Sequence, residues 1–238
     1  IRGVKVQPSP IWLKQALESV GINSINNIVD VTNYVLMELG QPLHAFDVKH
    51  LKGSKIEIKN SSKGETFQTL DGTEIELTGE ELTIRDAEKA VALAGVVGGL
   101  NSGVVESTTD VFIESAYFAS GPNRRASRRF GIQTDSSYRF SRGTDPEGVV
   151  FAMNRACHLI QKVAGGEVAP ELIDEYPQPL TREPISISKQ YLEERLGYPV
   201  NMDDFSQWME RLGCNVEAGS EAQEVRVNAP AFRWDMFA

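Results

Sequence analysis

Cysteine and histidine are scarce in this chain, and their spacing argues against a structural metal site. The 238 residues include the cysteines Cys157 and Cys214 and the histidines His44, His50 and His158. No Cys-x-x-Cys pair occurs, whereas a zinc site needs a closed set of ligands at short spacing. His158 follows Cys157 directly, and adjacent residues on a helix point to different faces. We therefore expect no metal here and two reduced thiols in a cytoplasmic protein.

Several motifs of membrane proteins and enzymes are also missing. No apolar run approaches the length of a membrane span, so no membrane partner is expected. The glycines between residues 95 and 103 lack the lysine and the Ser or Thr that would complete a P-loop, and no Gly-x-Ser-x-Gly elbow occurs. The chain begins at Ile1 rather than Met, which predicts a fragment of a longer polypeptide.

Acidic residues outnumber basic ones, with one local exception. The net charge of −9 argues against non-specific nucleic-acid binding over the whole surface. Between residues 121 and 143, however, six arginines oppose Asp135 alone, so this segment carries +5 and the remainder −14. Guanidinium groups suit bidentate phosphate contacts. Four of them are candidate RNA contacts: Arg124, Arg125, Arg128 and Arg129. A solvated helix face with structural ion pairs is the alternative.

The segment from Ile22 to Asp47 combines a helical pattern with three polar side chains. Apolar residues recur at intervals of three and four, which predicts a helix, and Gly40 fits its C-terminal cap. Thr32 and Asn33 fall inside this helix, and His44 follows its end on a short loop. If the loop folds back on the helix, the three side chains would meet. Alternatively, Thr and Asn bond the preceding turn or face water.

Periodicity predicts the remaining elements of the first part of the chain. Alternation of apolar and polar residues predicts four strands, at residues 55–60, 65–70, 73–77 and 81–86. Asp71-Gly72 predicts a hairpin turn between the second and third of these. Three further strands are expected at residues 1–7, 90–94 and 110–116. Helices are expected at residues 11–20, 121–131 and 146–164.

Glu114 lies within the predicted strand at residues 110–116, between apolar neighbours. In a strand of period two it shares a face with Phe112 and Ala116. A glutamate in that position is costly unless it is paired or faces a cavity. The pattern permits either a pocket position or an outward position at a sheet edge.

A proline-containing linker separates the first domain from a second one. Pro177, Pro179 and Pro184 predict this linker. The fold class is α+β: a mixed sheet domain packed with helices over residues 1–177, then a small winged-helix-like α/β module over residues 183–238. Within the module we expect a strand at 185–187, helices after Ser188 and Asn201, and strands near residue 215 and at 224–227. We expect the module to be truncated at its C-terminus, and DNA binding by it is disfavoured because acidic residues outnumber basic ones there.

Four runs of residues carry a family resemblance. In chain order they are IVDVTNYVLMELGQPLHAFD, ALAGVVGG, IESAYF and TDSSYRFSRGTDP. The chain resembles the beta subunit of bacterial phenylalanyl-tRNA synthetase in its B3/B4 editing region. The part after residue 184 resembles the adjoining B5 domain by its arrangement and its FRWD run, so the resemblance covers nearly the whole chain.

The resemblance implies proofreading, that is, hydrolysis of the ester that joins mischarged tyrosine to tRNA(Phe). The implied catalytic residues are Glu114, which would partner the tyrosine hydroxyl, and His44, which would position the water or the ester rather than act as a base. The implied substrate-binding residues are Thr32, Asn33, Gly95, Gly98, Thr134 and Ser136. Ser136 departs from the family, which commonly has alanine there, so the pocket gains a polar group that bears on tyrosine selectivity.

The resemblance also implies partners and cofactors. The alpha subunit, in a heterotetramer of two alpha and two beta chains, and tRNA(Phe) are the expected partners. No cofactor is expected in this fragment, and ATP and magnesium are expected only for synthesis by the whole enzyme. A non-catalytic scaffold that docks the alpha subunit or tRNA is the alternative. The presence of both His44 and Glu114 favours the enzyme.

Overall fold

The protein divides into two compact units, residues 1–173 and residues 174–238. The computed structural model describes residues 1–236. Helices and antiparallel strands occur in both units, which confirms the α+β class. The assignment of residues 1–177 and 183–238 to two named domains stays a prediction, and so does the winged-helix likeness of the second.

The first unit contains five α-helices in its described residues. They are α1 Ile11–Glu18, α2 Asn27–Leu39, α3 Ser120–Phe130, α4 Asp135–Phe140 and α5 Val149–Ala164. Its strands are β1 Leu43–Asp47, β2 Glu57–Asn60, β3 Thr66–Gln68, β4 Glu74–Glu76, β5 Leu82–Arg85, β6 Ala90–Leu93, β7 Val97–Gly98 and β8 Val111–Ser115. They form a four-stranded sheet of order β2-β5-β6-β7, the hairpin β3-β4 and the pair β1-β8.

Helix α2 begins and ends where side-chain and backbone chemistry require. The Asn26 side chain accepts hydrogen bonds from the backbone N–H groups of Ile28 and Val29, so the helix begins at Asn27 rather than at the start of the predicted segment. Gly40 ends it with φ 72°, a left-handed conformation that favours glycine, and the predicted cap is confirmed.

The pair β1-β8 lies between a helical layer and the four-stranded sheet. On one face Ala45 and Ile113 join the core formed with α1, α2 and α5. On the other face Phe46 and Phe112 belong to a second core that includes Ile84 of β5 and residues of β6. Because side chains alternate along a strand, the residues two positions from Phe46 and Phe112 also face the sheet.

Two local expectations are wrong, each for a physical reason. Residues 1–7 form no strand: the segment makes isolated bridges at Arg2, with Asp110 and Glu167, and the left-handed φ of 72° at Gly3 interrupts the extended backbone. The loop expected at residues 43–47 is strand β1, since β8 supplies its pairing partner. No element was predicted at residues 135–140, which form helix α4 with Thr134 as its side-chain cap.

The second unit follows its predicted order closely. It contains β9 Ile185–Ser188, α6 Lys189–Leu196, α7 Met202–Arg211, β10 Asn215–Ala218 and β11 Glu224–Asn228. The strands form an antiparallel sheet of order β10-β11-β9. Ser188 and Asn201 cap the two helices, as their positions predicted, by accepting backbone hydrogen bonds from Tyr191 and Asp203. Its core is built on Val200, Phe205, Cys214 and Val227.

Candidate functional site

Strand pairing places His44 directly opposite Glu114. The register of β1 against β8 is antiparallel and pairs these two residues. Both lie on the face that carries Phe46 and Phe112, and the rings of His44 and Phe46 meet edge to face with centroids 4.4 Å apart. The register therefore joins the two residues expected to be catalytic on one face, beside an aromatic wall.

These two side chains line a small cavity between β1-β8 and the four-stranded sheet. The cavity has a volume of about 60 Å³. That is space for about four to six water molecules. Its wall includes Gly95, Gly98, Ser136 and Phe140. The structure thus brings together five predicted site residues: His44, Glu114, Gly95, Gly98 and Ser136.

Burial shifts the pKa values of the pair in opposite directions. Loss of hydration raises the pKa of Glu114 to about 7 and lowers the pKa of His44 to about 4. Both residues keep some surface exposure, but the Nε2 atom of His44 is enclosed and has no hydrogen-bond partner among the described residues. Near neutral pH the imidazole is uncharged and the carboxyl group is partly protonated. The pair therefore offers polar atoms to a ligand rather than an ion pair.

The turn between β6 and β7 brings backbone close to the cavity. A Cβ atom at Gly98 would lie 2.9 Å from Cε1 of His44. Gly95 has φ 67°, and a Cβ there would lie 2.3 Å from Nδ2 of Asn123 and 2.8 Å from Cδ2 of Phe118. Both positions therefore need glycine, Gly98 for space and Gly95 for space and conformation.

Thr134 is not among the residues that line the cavity, but it bonds a chain segment that does. Its hydroxyl donates to the backbone oxygen of Val96, at 2.7 Å, in the β6-β7 turn. The same hydroxyl accepts from the N–H of Ser137, and Ser137 bonds the N–H of Thr134 in return, which forms a capping box. Thr134 thus ties the start of α4 to the turn, while Ser136 faces the cavity.

Thr32 and Asn33 do not line this cavity. The Thr32 hydroxyl donates to the backbone oxygen of Val29, 2.7 Å away in its own helix, and its side chain is buried. Asn33 is half-buried on α2. Their role in substrate binding stays a prediction.

Gln41 is a neighbour of the site that the sequence did not single out. Its Nε2 donates to the backbone oxygen of Ala116, 2.7 Å away beyond the end of β8, and to that of Pro42. The side chain is buried, and its Oε1 has no hydrogen-bond partner among residues 1–236. Gln41 therefore links the entry of β1 to the exit of β8. A polar residue between a helix-ending glycine and a proline was the available signal.

The arginines of residues 121–143 divide into two groups. Arg129 pairs with Glu80 and Glu81, and Arg139 pairs with Asp135. The others form no ion pair in the described part of the chain: Arg124, Arg125, Arg128 and Arg142. Of the four candidate RNA contacts, Arg129 is therefore engaged within the protein.

Residues 1–236 contain no group of three or more His, Cys, Asp or Glu side chains that could hold a metal ion. The two cysteines are free thiols, Cys214 buried and Cys157 half-buried. Across the same residues, no helix is long and apolar enough to cross a membrane.

Comparison with known proteins gives consistent matches. The B3/4 domain family matches residues 1–165. The phenylalanine–tRNA ligase beta subunit of Bdellovibrio bacteriovorus is 55% identical over 99% of this chain and 29% of its own length. That of Geobacter metallireducens is 46% identical over the same shares. The chain thus spans under a third of the length of these relatives.

One solved structure is a more distant match. It is an N-terminal fragment of the phenylalanyl-tRNA synthetase beta-subunit from Pyrococcus horikoshii, with 16% identity and a TM-score of 0.41. The match covers 100% of this chain and 67% of that one, at a similarity too low to support a conclusion. On the match over residues 1–165, the chain belongs to the B3/4 domain family, and along nearly its whole length it is similar to phenylalanine–tRNA ligase beta subunits.

Proposed function

We propose that the cavity between His44 and Glu114 hydrolyses tyrosine from mischarged tRNA(Phe), as part of a phenylalanine–tRNA ligase beta subunit. The observation that carries the proposal is the pairing of His44 with Glu114 across β1-β8, where both side chains line one cavity and burial raises the pKa of Glu114 to about 7. The similarity to ligase beta subunits supports the substrate class.

In this proposal Glu114 distinguishes the tyrosyl ester from the phenylalanyl ester. A site shaped for phenylalanine rejects tyrosine by only about a hundredfold, because an added hydroxyl costs little. A second site discriminates better if it needs the hydroxyl. In either protonation state Glu114 can hydrogen-bond a phenol, whereas phenylalanine would leave its carboxyl group buried and unpaired, at a cost of about 1–3 kcal/mol. The cavity would therefore hold the tyrosyl ester and release the correct phenylalanyl ester.

His44 serves the hydrolytic step by position. A general base works best when its pKa lies near the working pH, and a pKa of about 4 makes this imidazole a weak base. The imidazole lines the cavity and its Nε2 has no protein partner among the described residues, so a small rotation of the ring would let this atom hold the attacking water or an ester oxygen by one hydrogen bond. The proposed role is orientation of the water toward the ester carbon, with no covalent intermediate.

The remaining features of the proposal concern the whole enzyme. Its partners are the alpha subunit, in an assembly of two alpha and two beta chains, and tRNA(Phe). ATP and magnesium serve the synthetic reaction of that enzyme and have no role at this cavity. The enzyme works in the cytoplasm.

The test is hydrolysis of tyrosyl-tRNA(Phe) and phenylalanyl-tRNA(Phe) by the full-length enzyme, with and without Glu114→Ala. We expect the substitution to reduce the preference for the tyrosyl ester by about 10- to 100-fold, the equivalent of the unpaired carboxyl group. Glu106→Ala, at an exposed glutamate outside the cavity lining, is the matched control and should leave the preference unchanged. Unaltered hydrolysis and preference in Glu114→Ala would overturn the proposal in favour of a scaffold.

A further inference from the structure

Helix α4 separates the cavity from a second, larger depression. Ser136 and Phe140, one helical turn apart, line the cavity of His44 and Glu114. Ser137 and Ser141, also one turn apart, line a cleft of about 460 Å³. The cleft has further walls from Arg124, Arg128, Tyr138 and Arg142. The two depressions are therefore divided by the width of a single helix, about 10 Å.

The cleft concentrates positive charge that the protein does not neutralise. Its lining includes three arginines and no acidic residue. Arg124 donates from Nε and Nη2 to the backbone oxygen of Ser141, at 3.2 and 2.6 Å. Arg142 donates to the backbone oxygen of Tyr138, at 3.0 Å. Neutral carbonyl groups thus fix these two guanidinium groups while leaving their full charge, in a chain whose net charge is −9.

The cleft also offers an aromatic surface. The guanidinium carbon of Arg142 lies 3.5 Å from the ring centroid of Tyr138, and the Tyr138 residue is 58% exposed. Single-stranded nucleic acids bind to this combination, in which arginines contact phosphates and an exposed ring stacks with a base. A site for inorganic phosphate alone would have no use for the ring.

We propose that this cleft binds the phosphates and one base of the single-stranded 3′ end of an aminoacylated RNA, so that the terminal ester reaches the cavity across α4. This inference rests on the proposed function, because that function defines the RNA-linked ester as substrate. Arg124, Arg128 and Arg142 contact phosphate oxygens, and Tyr138 stacks on a base. Arg125 and Arg129 lie outside the cleft lining and take no part.

The first experiment compares Arg128→Gln and Arg142→Gln in the full-length enzyme with Arg125→Gln. Arg125 is exposed on the same helix as Arg128 but does not line the cleft, so it controls for the loss of one charge. We expect KM for tyrosyl-tRNA to rise about tenfold in each cleft variant, with kcat retained, because a charge-assisted contact is lost. The dependence of log(kcat/KM) on log salt should become shallower by about 0.7 per contact. Equal effects of all three substitutions would overturn the proposal.

A second experiment separates the cleft from the hydrolytic site. Tyrosine methyl ester carries no RNA, so Arg128→Gln should reduce its hydrolysis far less than the hydrolysis of tyrosyl-tRNA, whereas Glu114→Ala should reduce both. Fluorescence anisotropy with a short single-stranded RNA measures binding to the cleft without catalysis. Tyr138→Ala should weaken this binding, whereas Tyr138→Phe should retain it.

If the RNA binds in this way but no ester is hydrolysed, the proposed function fails and the cleft proposal is retained. If Tyr138→Ala and Arg128→Gln leave RNA binding unchanged, or if a phosphopeptide binds more tightly than RNA, the cleft proposal is overturned.

Discussion

His44 and Glu114 face each other across an antiparallel strand pair, and the Nε2 atom of His44 has no hydrogen-bond partner among the described residues. Directly opposite residues in such a pair have Cβ atoms about 4.5–5.5 Å apart. A histidine and a glutamate at that distance would form a salt bridge in water, but burial raises the pKa of Glu114 and lowers that of His44. Each side chain is therefore held near its neutral form, ready to bond an uncharged hydroxyl, water or ester group.

The opposite pKa shifts predict two contributions of opposite sign to the pH dependence of the free energy of unfolding. The unfolded histidine binds its proton below about 6.5 and the folded one only below about 4, so His44 makes the free energy of unfolding fall as the pH drops through that window. Folded Glu114 holds its proton up to about pH 7 and unfolded glutamate only to about 4.5, so Glu114 makes stability rise as the pH drops. In the overlap the two slopes oppose each other.

Glu114→Gln removes one of these slopes. We expect the variant to lose stability relative to the parent protein as the pH falls from about 6.5 to 4.5, by less than about 1.4 kcal/mol per pH unit because the groups are only partly buried. Urea unfolding across this range measures the difference, and Glu106→Gln controls for a lost surface carboxylate. Parallel pH profiles for Glu114→Gln and the parent would contradict the pKa assignments.

Gly98→Ala should displace the imidazole without breaking the fold. The new Cβ would lie 2.9 Å from Cε1 and 3.2 Å from Nε2 of His44, and 2.9 Å from Cδ1 at the movable end of Leu70. The φ of Gly98 is one that alanine can adopt. Overpacking of this kind costs about 1–3 kcal/mol. A displacement near 1 Å can reduce a rate by about a hundredfold. The substitution should therefore reduce the rate of tyrosyl-tRNA hydrolysis by up to about a hundredfold, while the free energy of unfolding falls by only about 1–3 kcal/mol.

The matched control for that substitution is Gly103→Ala. A Cβ at Gly103 would meet only Cδ2 of Leu70, at an ordinary 3.8 Å. It should leave both hydrolysis and stability nearly unchanged. A similar loss of hydrolysis in both variants would mean that contact with His44 is not the cause.

Gly95→Ala should lower the free energy of unfolding by more than backbone strain alone accounts for, because the new side chain would also clash with its neighbours. Gly95 and Gly131 have nearly equal φ angles, 67° and 66°, so alanine is strained at both. At Gly131 a Cβ would meet nothing within 4 Å, whereas at Gly95 it would lie 2.3 Å from Nδ2 of Asn123. Gly131→Ala should cost about 1 kcal/mol for backbone strain. Gly95→Ala should cost at least about 1–3 kcal/mol more, as measured by urea unfolding, and equal costs would contradict this account.

The sequence predicted those features of the fold that neighbouring residues determine, and it missed those that depend on residues far apart in the chain. Gly40, Ser188 and Asn201 end or begin helices through their own chemistry, so those boundaries were predictable. The strand β1 was not, because residues 43–47 become a strand only through pairing with residues about 70 positions away. The meeting of His44 with Glu114 is set by the same register.

The arginines of residues 121–143 likewise show what composition and spacing could not predict. Composition identified the basic segment, but sequence spacing could not show that Arg129 meets Glu80 and Glu81 while Arg142 lies over Tyr138. A local signal was available for α4, since Thr134 and Ser137 have the spacing of a capping box, with serine in place of the usual Glu or Gln.

The ion pair of Arg129 predicts that this residue stabilises the fold rather than contacting RNA. Its Nη1 lies 2.7 Å from Oε1 of Glu81, whose side chain is 1% exposed. Burial tends to raise the pKa of Glu81, but hydrogen bonds from Thr78 and Arg129 outweigh it and lower the pKa to about 2. Glu81 therefore contributes its full stability above about pH 4.5 and loses it as the pH falls toward 2.

Arg129→Gln leaves that buried carboxylate without its cation. We expect the free energy of unfolding at neutral pH to fall by about 1–3 kcal/mol, less than for a fully buried pair because Arg129 is partly exposed. Glu80→Gln is the control, because Glu80 is the exposed partner of the same arginine and its loss should cost less than about 1 kcal/mol. Urea unfolding and RNA anisotropy together test this role. If Arg129 is structural, its replacement lowers the free energy of unfolding while the folded variant keeps its RNA affinity. Weaker RNA binding with unchanged stability would instead return Arg129 to the RNA-contacting surface.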